Sequence, residues 1–299
     1  MRKQKERNSI VIIVAYVVLG IISFMCIAPV VLMAVASLTD NDVLNLYGYT
    51  YFPQKWSLEA YEFLIKQGTV ISKSFLNSVL VTFMGTALGI MVTVLLAYTI
   101  SRKELVGRKL IMLFVFFTML FNGGMVPTYL MYTQIFHIKN TMWALLFPHL
   151  LVNGFNVLLV RTFFNENIPE VLLEAARIDG AGEISIFRNV VLPISKPILA
   201  TIGLLVGVGY WNDWYNGLLY LTNTKLFSLQ NYLNRILLDI QFMTQSMAGS
   251  AEAANALGKM PTITVRMAIA VIGILPLMII FPFFQSYFAR GMTVGAVKG

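Results

Sequence analysis

Six long apolar stretches, almost free of charge, dominate the 299-residue sequence. The hydrocarbon core of a bilayer is about 30 Å thick, and a helix needs about 20 apolar residues to cross it. In lipid, only helices and closed barrels satisfy every backbone hydrogen bond, and barrel strands would be about half as long and alternating. We therefore expect an all-α membrane protein with six transmembrane helices. The predicted spans are Ile10–Ser37, Ser74–Ile100, Leu110–Tyr132, Thr141–Val160, Ile198–Leu221 and Thr262–Ser286.

The composition excludes several other classes of protein. Hydrophobic residues make up 58% of the chain and charged residues 12%, whereas a soluble domain carries about 25% charged residues. The net charge of +8 is spread over the loops, so we expect no nucleic-acid partner. The single cysteine, Cys26, cannot form an intrachain disulfide. The first apolar stretch is too long for the core of a signal peptide, so we expect a retained helix.

The distribution of Lys and Arg predicts the orientation, because short cytoplasmic loops carry an excess of these residues. Most of the 22 basic residues fall on one side if the N-terminus lies in the cytoplasm, and both termini are then cytoplasmic. The predicted organisation is a basic N-terminal segment (1–9), a first span (10–37), an outer segment (38–73), a five-helix core (74–286) and a cytoplasmic tail (287–299).

The core contains a second outer segment, 222–261, with an amphipathic stretch. Leu229, Leu233, Ile236, Leu237 and Ile240 recur there at helical spacing. Two interpretations stay open for this stretch. A helix of this kind either docks a partner on the outer surface or packs across the ends of the spans.

Small residues and chain breaks are expected inside the spans. Gly85 with Gly89, and Gly203 with Gly207, have the four-residue spacing that lets helix backbones approach closely. The third span carries Asn122, Gly123, Gly124 and Pro127, so we expect it to bend or unwind near its outer end. Irregular backbone in a membrane is tolerated only where protein buries it or a water-filled cavity meets it. The bend is therefore a candidate wall of a passage.

The inner segment 161–197 predicts two short helices joined by a tight turn. Asn167 is a candidate cap for the first helix, which Asp179-Gly180 ends. The second runs from about Glu183 to Leu192, with Pro193 as its stop. Its expected apolar face is Ile184, Phe187 and Val191. The segment holds more acidic than basic residues, so anionic lipid would repel it and a protein partner is favoured.

The segment EAARIDGAGEISIFRNVVLP resembles the EAA loop of type I ATP-binding-cassette (ABC) importer permeases. The resemblance implies that fold, and it implies that the first short helix is a coupling helix seated in a cytoplasmic ATPase subunit. The WNDW at 211–214 and the final GMTVGAVKG are similar to the carbohydrate branch of the MalG type, whose tail reaches the ATPase interface. FNGGMVPTYL, at 121–130, is similar to the LplC/YtcP subgroup associated with oligosaccharide or polysaccharide-fragment uptake. The residues implied in coupling are Glu174, Ala175, Ala176, Asp179, Gly180, Ala181, Phe187, Pro193, Gly295 and Lys298.

No phosphate-binding loop of the GxxxxGK[ST] type occurs in the sequence. We therefore expect a transport subunit that is not an enzyme and binds no cofactor, with ATP and Mg on partner subunits. Ion-coupled carriers need ionisable residues near the middle of the membrane, and the clearest embedded charges here, Asp213 and Arg266, lie near the outer ends of spans. Two alternatives to such a transport subunit remain: an ion-coupled or facilitative carrier acting alone, and a non-transporting scaffold.

Sugars are recognised by aromatic faces and by amide or hydroxyl groups, and the outer halves of the third to fifth spans offer both. The candidate pathway residues are Asn122, Tyr129, Asn153, Asn156, Trp211, Asn212, Asp213, Trp214 and Tyr215. Interfacial Trp and Tyr belts, and amides that bond between helices, are the structural alternatives. Acidic and basic residues nearly balance on the outer side, so nothing indicates an anionic cargo.

These features together predict one permease subunit of an ATP-driven carbohydrate importer, acting by alternating access in the bacterial cytoplasmic (inner) membrane. The resemblance implies a homologous permease subunit, two ATPase subunits and an extracytoplasmic solute-binding protein, with membrane lipid around the spans. The second outer segment is the candidate contact for the solute-binding protein.

Overall fold

A computed structural model describes residues 2–66, 68–246 and 262–293, and side chains over 12–66, 68–242 and 263–283. Regular structure in these ranges is helical, with one isolated bridge between Thr39 and Trp56. The described residues of 1–68 and 235–275 form one compact unit, and those of 69–234 and 276–299 form a second.

The first unit contains a long helix followed by two short ones. These are α1 (Arg2–Ser37), α2 (Asn41–Tyr47) and α3 (Glu59–Lys66). Asp40 caps α2 by accepting from the Asp42 N–H at 3.1 Å, and it pairs with Lys55 at 2.6 Å. The Lys55 ammonium is the main reason why the pKa of the Asp40 carboxyl lies below its usual range. The first predicted span is confirmed as one continuous helix.

The second unit holds most of the remaining helices. They are α4 (Gly68–Ser101), α5 (Arg108–Leu120), α6 (Met125–Leu130, continued by a π-helical turn Met131–Ile135), α7 (Trp143–Leu146), α8 (Gly154–Asn167), α9 (Glu170–Ile178), α10 (Glu183–Ile186), a π-helical turn Phe187–Val191, α11 (Leu192–Ile194), α12 (Lys196–Trp211) and α13 (Tyr215–Tyr220). Two further helices run through both units: α14 (Leu229–Ser246) and α15 (Thr262–Thr293).

Glycines bring α4 and α12 into close contact. A Cβ on Gly89 would lie 3.1 Å from Val206, and one on Gly207 would lie 3.3 Å from Thr86. A Cβ on Gly85 would overlap the ring of Tyr210, whose hydroxyl donates to the Leu146 carbonyl at 2.7 Å in a buried position. The expectation that these small residues serve close helix packing is therefore confirmed for both glycine pairs.

Three described helices are long and apolar enough to cross a membrane, and up to five spans result if each bent pair counts as one. The three are Ile12–Ser37, Gly68–Ser101 and Ile263–Phe283. The bent pairs are Arg108–Leu120 with Met125–Ile135, at 117°, and Glu183–Ile194 with Lys196–Trp211, at 81°. The first bend lies at 121–124, where the sequence predicts it.

The prediction of a continuous fourth span, Thr141–Val160, is wrong. Helix α7 ends at Leu146, and α8 begins only at Gly154. Pro148 lacks the N–H that a continuing helix needs, and His149 has a left-handed backbone with φ 62°. The predicted fifth span, Ile198–Leu221, is likewise interrupted, because α12 ends at Trp211 and α13 starts at Tyr215.

The amphipathic helix of the second outer segment, α14, is packed rather than free along its apolar face. Leu229 and Leu233 are buried, and so are Ile236 and Ile240. The Leu229 N–H donates to the Ser78 hydroxyl of α4 at 2.7 Å, which fixes the start of the helix. Packing across the helices is therefore the role that the described part of this segment supports.

Candidate functional site

Helix α9 and the turn after it form a rigid elbow. The helix starts after Pro169 and ends in a Schellman motif: the Ala181 N–H donates to the Ala176 carbonyl and the Gly180 N–H to the Arg177 carbonyl, both at 3.0 Å. Gly180 has φ 81°, a backbone conformation that glycine adopts without the penalty of a side chain. The proposed cap at Asn167 is wrong, because that residue ends α8 and its Nδ2 donates to the Phe163 carbonyl.

Four side chains hold this elbow to the end of α4 and the turn after it, and we name them the loop clamp: Tyr98, Glu104, Arg177 and Glu183. The Arg177 guanidinium contacts Glu104 at 3.1 Å and Glu183 at 3.0 Å. The Tyr98 hydroxyl donates to the second carboxylate oxygen of Glu183 at 2.6 Å. The pKa of the Glu104 carboxyl lies below its usual range, first because of the backbone N–H of Glu104 and then because of the Arg177 guanidinium. The Glu104 carboxyl is therefore ionised at neutral pH.

A second ion pair and a ring cluster add to the clamp. Lys103 contacts Glu170, at the start of α9, at 2.8 Å. The Tyr98 ring lies 5.0 Å from that of Phe187, measured between centroids. Both ends of α9 are thus tied to the segment that follows α4.

One face of the elbow remains exposed. Val171, Ala175 and Ile178 fall on one side of α9, and Ile178 exposes 86% of its surface. Leu173, on the opposite side, is buried. Of the predicted coupling residues, Glu174, Ala175, Asp179, Gly180 and Pro193 are exposed, while Ala176, Ala181 and Phe187 are half-buried. Gly295 and Lys298 lie outside the described residues.

The second short helix differs from its prediction in two respects. Ile184 is exposed and Ile186 is buried in its place, whereas the predicted Val191 is buried and Phe187 is half-buried. The helix also continues two residues past its predicted end at Leu192, since Pro193 lies within the continuous helix Glu183–Ile194, one residue before its end. The direction changes at Ser195, so that the elbow continues into α12 through an 81° bend.

Four of the nine polar and aromatic candidates line two cavities of the second unit. A small cavity of about 310 Å³ brings Asn122, Asp213 and Tyr215 together with His149 and Asn216. A larger one of about 1080 Å³ includes Asn153 and a group of aromatic rings. His149 lines both cavities. His149 is not among the residues predicted from the sequence, although the Pro148-His149 pair inside an apolar run signals a chain break.

The other pathway candidates do not line either cavity. Trp211 is buried with its ring 5.8 Å from that of Phe75, and Asn156 is buried in the first turn of α8. Tyr129 stacks on Tyr220 at 5.7 Å. Asn212 and Trp214 are exposed beside Asp213.

The match to a family model covers residues 85–294, and that family is described as "Binding-protein-dependent transport system inner membrane component". The chain belongs to this family and is a multi-pass component of the inner membrane.

Individual relatives cover nearly the whole chain. It is 34% identical to the polygalacturonan/rhamnogalacturonan transport system permease protein YtcP of Bacillus subtilis, over 98% of this chain and 100% of that protein. Identity to the protein LplC of the same organism is also 34%, over 94% of this chain and 92% of that one. A chain of a bacterial ABC transporter that imports the acidic polysaccharide alginate superposes with a TM-score of 0.77 at 29% identity, covering 92% of this chain and 95% of that one.

Proposed function

We propose that this chain is a permease subunit of an ABC importer for carbohydrate, most simply an oligosaccharide, and that it works by alternating access. Family membership and the functions of YtcP and of the alginate transporter support this class of cargo. In this proposal the chain crosses the membrane six times and keeps both termini in the cytoplasm. The third, fourth and fifth of these spans are then interrupted helices.

The observation that carries the proposal is the clamped elbow with its exposed face. Ion pairs hold α9 at both ends, while Glu174, Ala175 and Ile178 stay accessible. Small side chains at Ala175 and Ala176 allow a groove to approach the helix backbone closely. Such an arrangement suits a helix that binds a separate protein and transmits the movement of that protein to the spans.

ATP hydrolysis belongs to other subunits in this proposal. Two ATPase subunits bind ATP and Mg, a homologous permease completes a heterodimer, and a solute-binding protein delivers the cargo to the outer segment 222–261. The tail residues Gly295 and Lys298 contact the ATPase pair, and this chain binds no cofactor and catalyses no reaction.

Force from the ATPase pair has two routes into the spans. One leads from α9 through Arg177 and Glu183 to Tyr98 on α4. The other leads through α10 and α11 to α12, across the bend at Ser195. Because α4 and α12 are in close contact at their glycines, both routes move the same helix pair. Closure of the ATPase pair then opens the spans outward, and hydrolysis resets them.

The test uses the complete complex in proteoliposomes with its solute-binding protein. Gly180→Pro forces φ to about −65° at a position that needs 81° and removes an N–H donor, and Glu174→Lys reverses an exposed charge. Both variants should assemble in the membrane yet lose most coupling of ATP hydrolysis to uptake. Gly182→Ala is the matched control, because Gly182 has φ −71° and open space around its Cβ position. Wild-type stimulation by Gly180→Pro, or uptake by this chain without ATPase subunits, contradicts the proposal.

A further inference from the structure

We propose that the small cavity is a subsite for one uncharged sugar unit, held through its hydroxyl groups by His149, Asp213 and Asn216. The inference rests on the function proposed above and specifies the chemistry of its cargo. The cavity measures about 310 Å³, at the small end of ligand pockets and large enough for a single pyranose ring. Its polar lining is Asn122, His149, Asp213, Tyr215 and Asn216.

Three interruptions of helical structure meet at this cavity. They are the bend at 121–124, the loop around His149 and the junction that follows Trp211. All three fall inside stretches whose sequence predicts membrane spans. Irregular backbone at such positions persists where it lines a cavity, since lipid cannot satisfy its polar groups. The cavity thus accounts for the three breaks together.

Asn216 supplies an acceptor without a partner. The residue is 2% exposed, and its Nδ2 donates to the Pro148 carbonyl at 3.0 Å. Its Oδ1 is buried and has no hydrogen-bond partner in the described chain. The Asp213 carboxylate accepts from the Asn216 N–H at 3.1 Å and has further lone pairs available. Both groups need O–H or N–H donors, which is what the hydroxyls of a sugar offer.

His149 is held at the cavity wall by a strained backbone. Its φ of 62° is uncommon for a residue with a side chain, and such strain persists only where the surroundings enforce it. Here the Pro148 carbonyl accepts both from the Leu150 N–H at 2.8 Å and from Asn216 Nδ2. Two hydrogen bonds therefore fix the peptide group next to His149, whose imidazole can both donate and accept.

The charge of the lining selects an uncharged unit. Asp213 carries a carboxylate, and no Lys or Arg contributes to the described wall of this cavity. A uronate carboxylate placed here would meet the like charge of Asp213 with no lysine or arginine in the described lining to offset it. A neutral pyranose would instead donate its hydroxyls to Asp213 and Asn216.

The larger cavity offers a place for neighbouring sugar units. It meets the small cavity at His149 and is lined by Trp143 and Phe147, whose rings are parallel within 4° at 5.2 Å. Aromatic faces stack on the apolar faces of pyranose rings. A chain of sugars can therefore place one unit in the polar cavity and the next against the rings.

The experiment measures ATP-dependent uptake by the reconstituted complex and its solute-binding protein, using a neutral and a uronate trisaccharide in parallel. Asp213→Asn keeps the shape and removes the charge, and it should raise the ratio of uronate to neutral uptake about tenfold. His149→Gly relieves the strain at φ 62°, so the protein should stay folded while the KM for the neutral trisaccharide rises about tenfold. Thr50→Ala, at an exposed position outside both cavities and outside segment 222–261, is the control.

The outcomes separate the two proposals. If the wild-type complex imports sugar but both variants keep its ratio and KM, the subsite is wrong and the proposed function stands. A wild-type complex that imports only uronate oligomers also overturns the subsite. If no carbohydrate is imported at all, both proposals fall.

Discussion

Gly85 shows how a single small residue can position a buried polar group, here the hydroxyl of Tyr210. The Tyr210 ring occupies the space that a side chain at Gly85 would need, and its hydroxyl donates to the Leu146 carbonyl near the end of α7. The absence of a Cβ at Gly85 therefore determines where the ring and its hydrogen bond lie.

Gly85→Ala is expected to destabilise the protein by roughly 1–3 kcal/mol, the usual cost of overfilling a packed interior. The added methyl group pushes the Tyr210 ring aside and separates its hydroxyl from the Leu146 carbonyl. The measurement is the thermal unfolding midpoint of the purified complex in detergent, which should fall by several degrees.

Gly209→Ala is the matched control, since a Cβ at Gly209 would lie 3.7 Å from Leu150, an ordinary van der Waals contact. This variant should leave the midpoint unchanged or raise it, because alanine favours the helix over glycine. Equal midpoints for the two variants would show that Tyr210 does not depend on the space at Gly85.

The sequence predicts such residues only in part. Four-residue spacing of glycines predicts close packing of two spans, and the structure confirms it, but spacing does not identify Tyr210 as the neighbour. Similarly, His149 is recognisable as a polar residue within an apolar run, but the sequence does not show which groups surround it. Its left-handed backbone is supported by two hydrogen bonds to the preceding Pro148 carbonyl, one of which comes from Asn216, a residue distant in sequence.

Among the elements, α9 depends on the loop clamp for its position. Arg177 lies 73 residues from Glu104 in sequence, yet their side chains are 3.1 Å apart. Both side chains are partly exposed, so the pair contributes little to folding stability. The Arg177–Glu104 pair instead fixes the angle between α9 and the end of α4.

Arg177→Gln is expected to weaken coupling while leaving stability within about 1 kcal/mol of the wild type. Without the guanidinium, α9 loses its ion pairs with Glu104 and Glu183. A smaller part of any movement of α9 is then transmitted to α4. The number of ATP molecules hydrolysed per sugar imported should rise several-fold, as measured in proteoliposomes.

Arg188→Gln removes an equal charge from the neighbouring π-helical turn, where Arg188 is exposed and forms no ion pair within the described residues. It should keep the wild-type ratio of ATP to sugar. If both variants give the same ratio, loss of charge alone explains the effect, and the clamp does not transmit force.

Element boundaries follow from the sequence where one property determines them. The run Ser74–Ile100 predicts the helix that is observed as Gly68–Ser101, because length and apolarity suffice for it. The region 141–160 is equally apolar, but Pro148 and the strained backbone of His149 divide it. The elbow was recognisable from Asp179-Gly180, whereas the clamp joins distant segments and leaves no periodic signal.

At the scale of the whole molecule, the first helix differs from the other two long helices in how much of it is buried. No residue of the most apolar part of Ile12–Ser37 is buried within the chain, whereas 28% is buried in each of the other two long helices. Its apolar surface therefore needs lipid or another subunit around it. This agrees with a chain that is one part of a larger membrane assembly.

The proposed topology can be tested by labelling single cysteines in intact cells. Cys26→Ser provides a cysteine-free chain, since Cys26 is the single cysteine of the sequence. Val106 lies in the exposed turn between α4 and α5, and Lys139 lies in the exposed loop after α6. Each is replaced by cysteine in turn. With the N-terminus in the cytoplasm, a membrane-impermeant maleimide should label position 139 in whole cells and position 106 only after the membrane is opened. Labelling of both positions from outside would place them on the same face, and α5 and α6 would then form a re-entrant loop instead of a broken span.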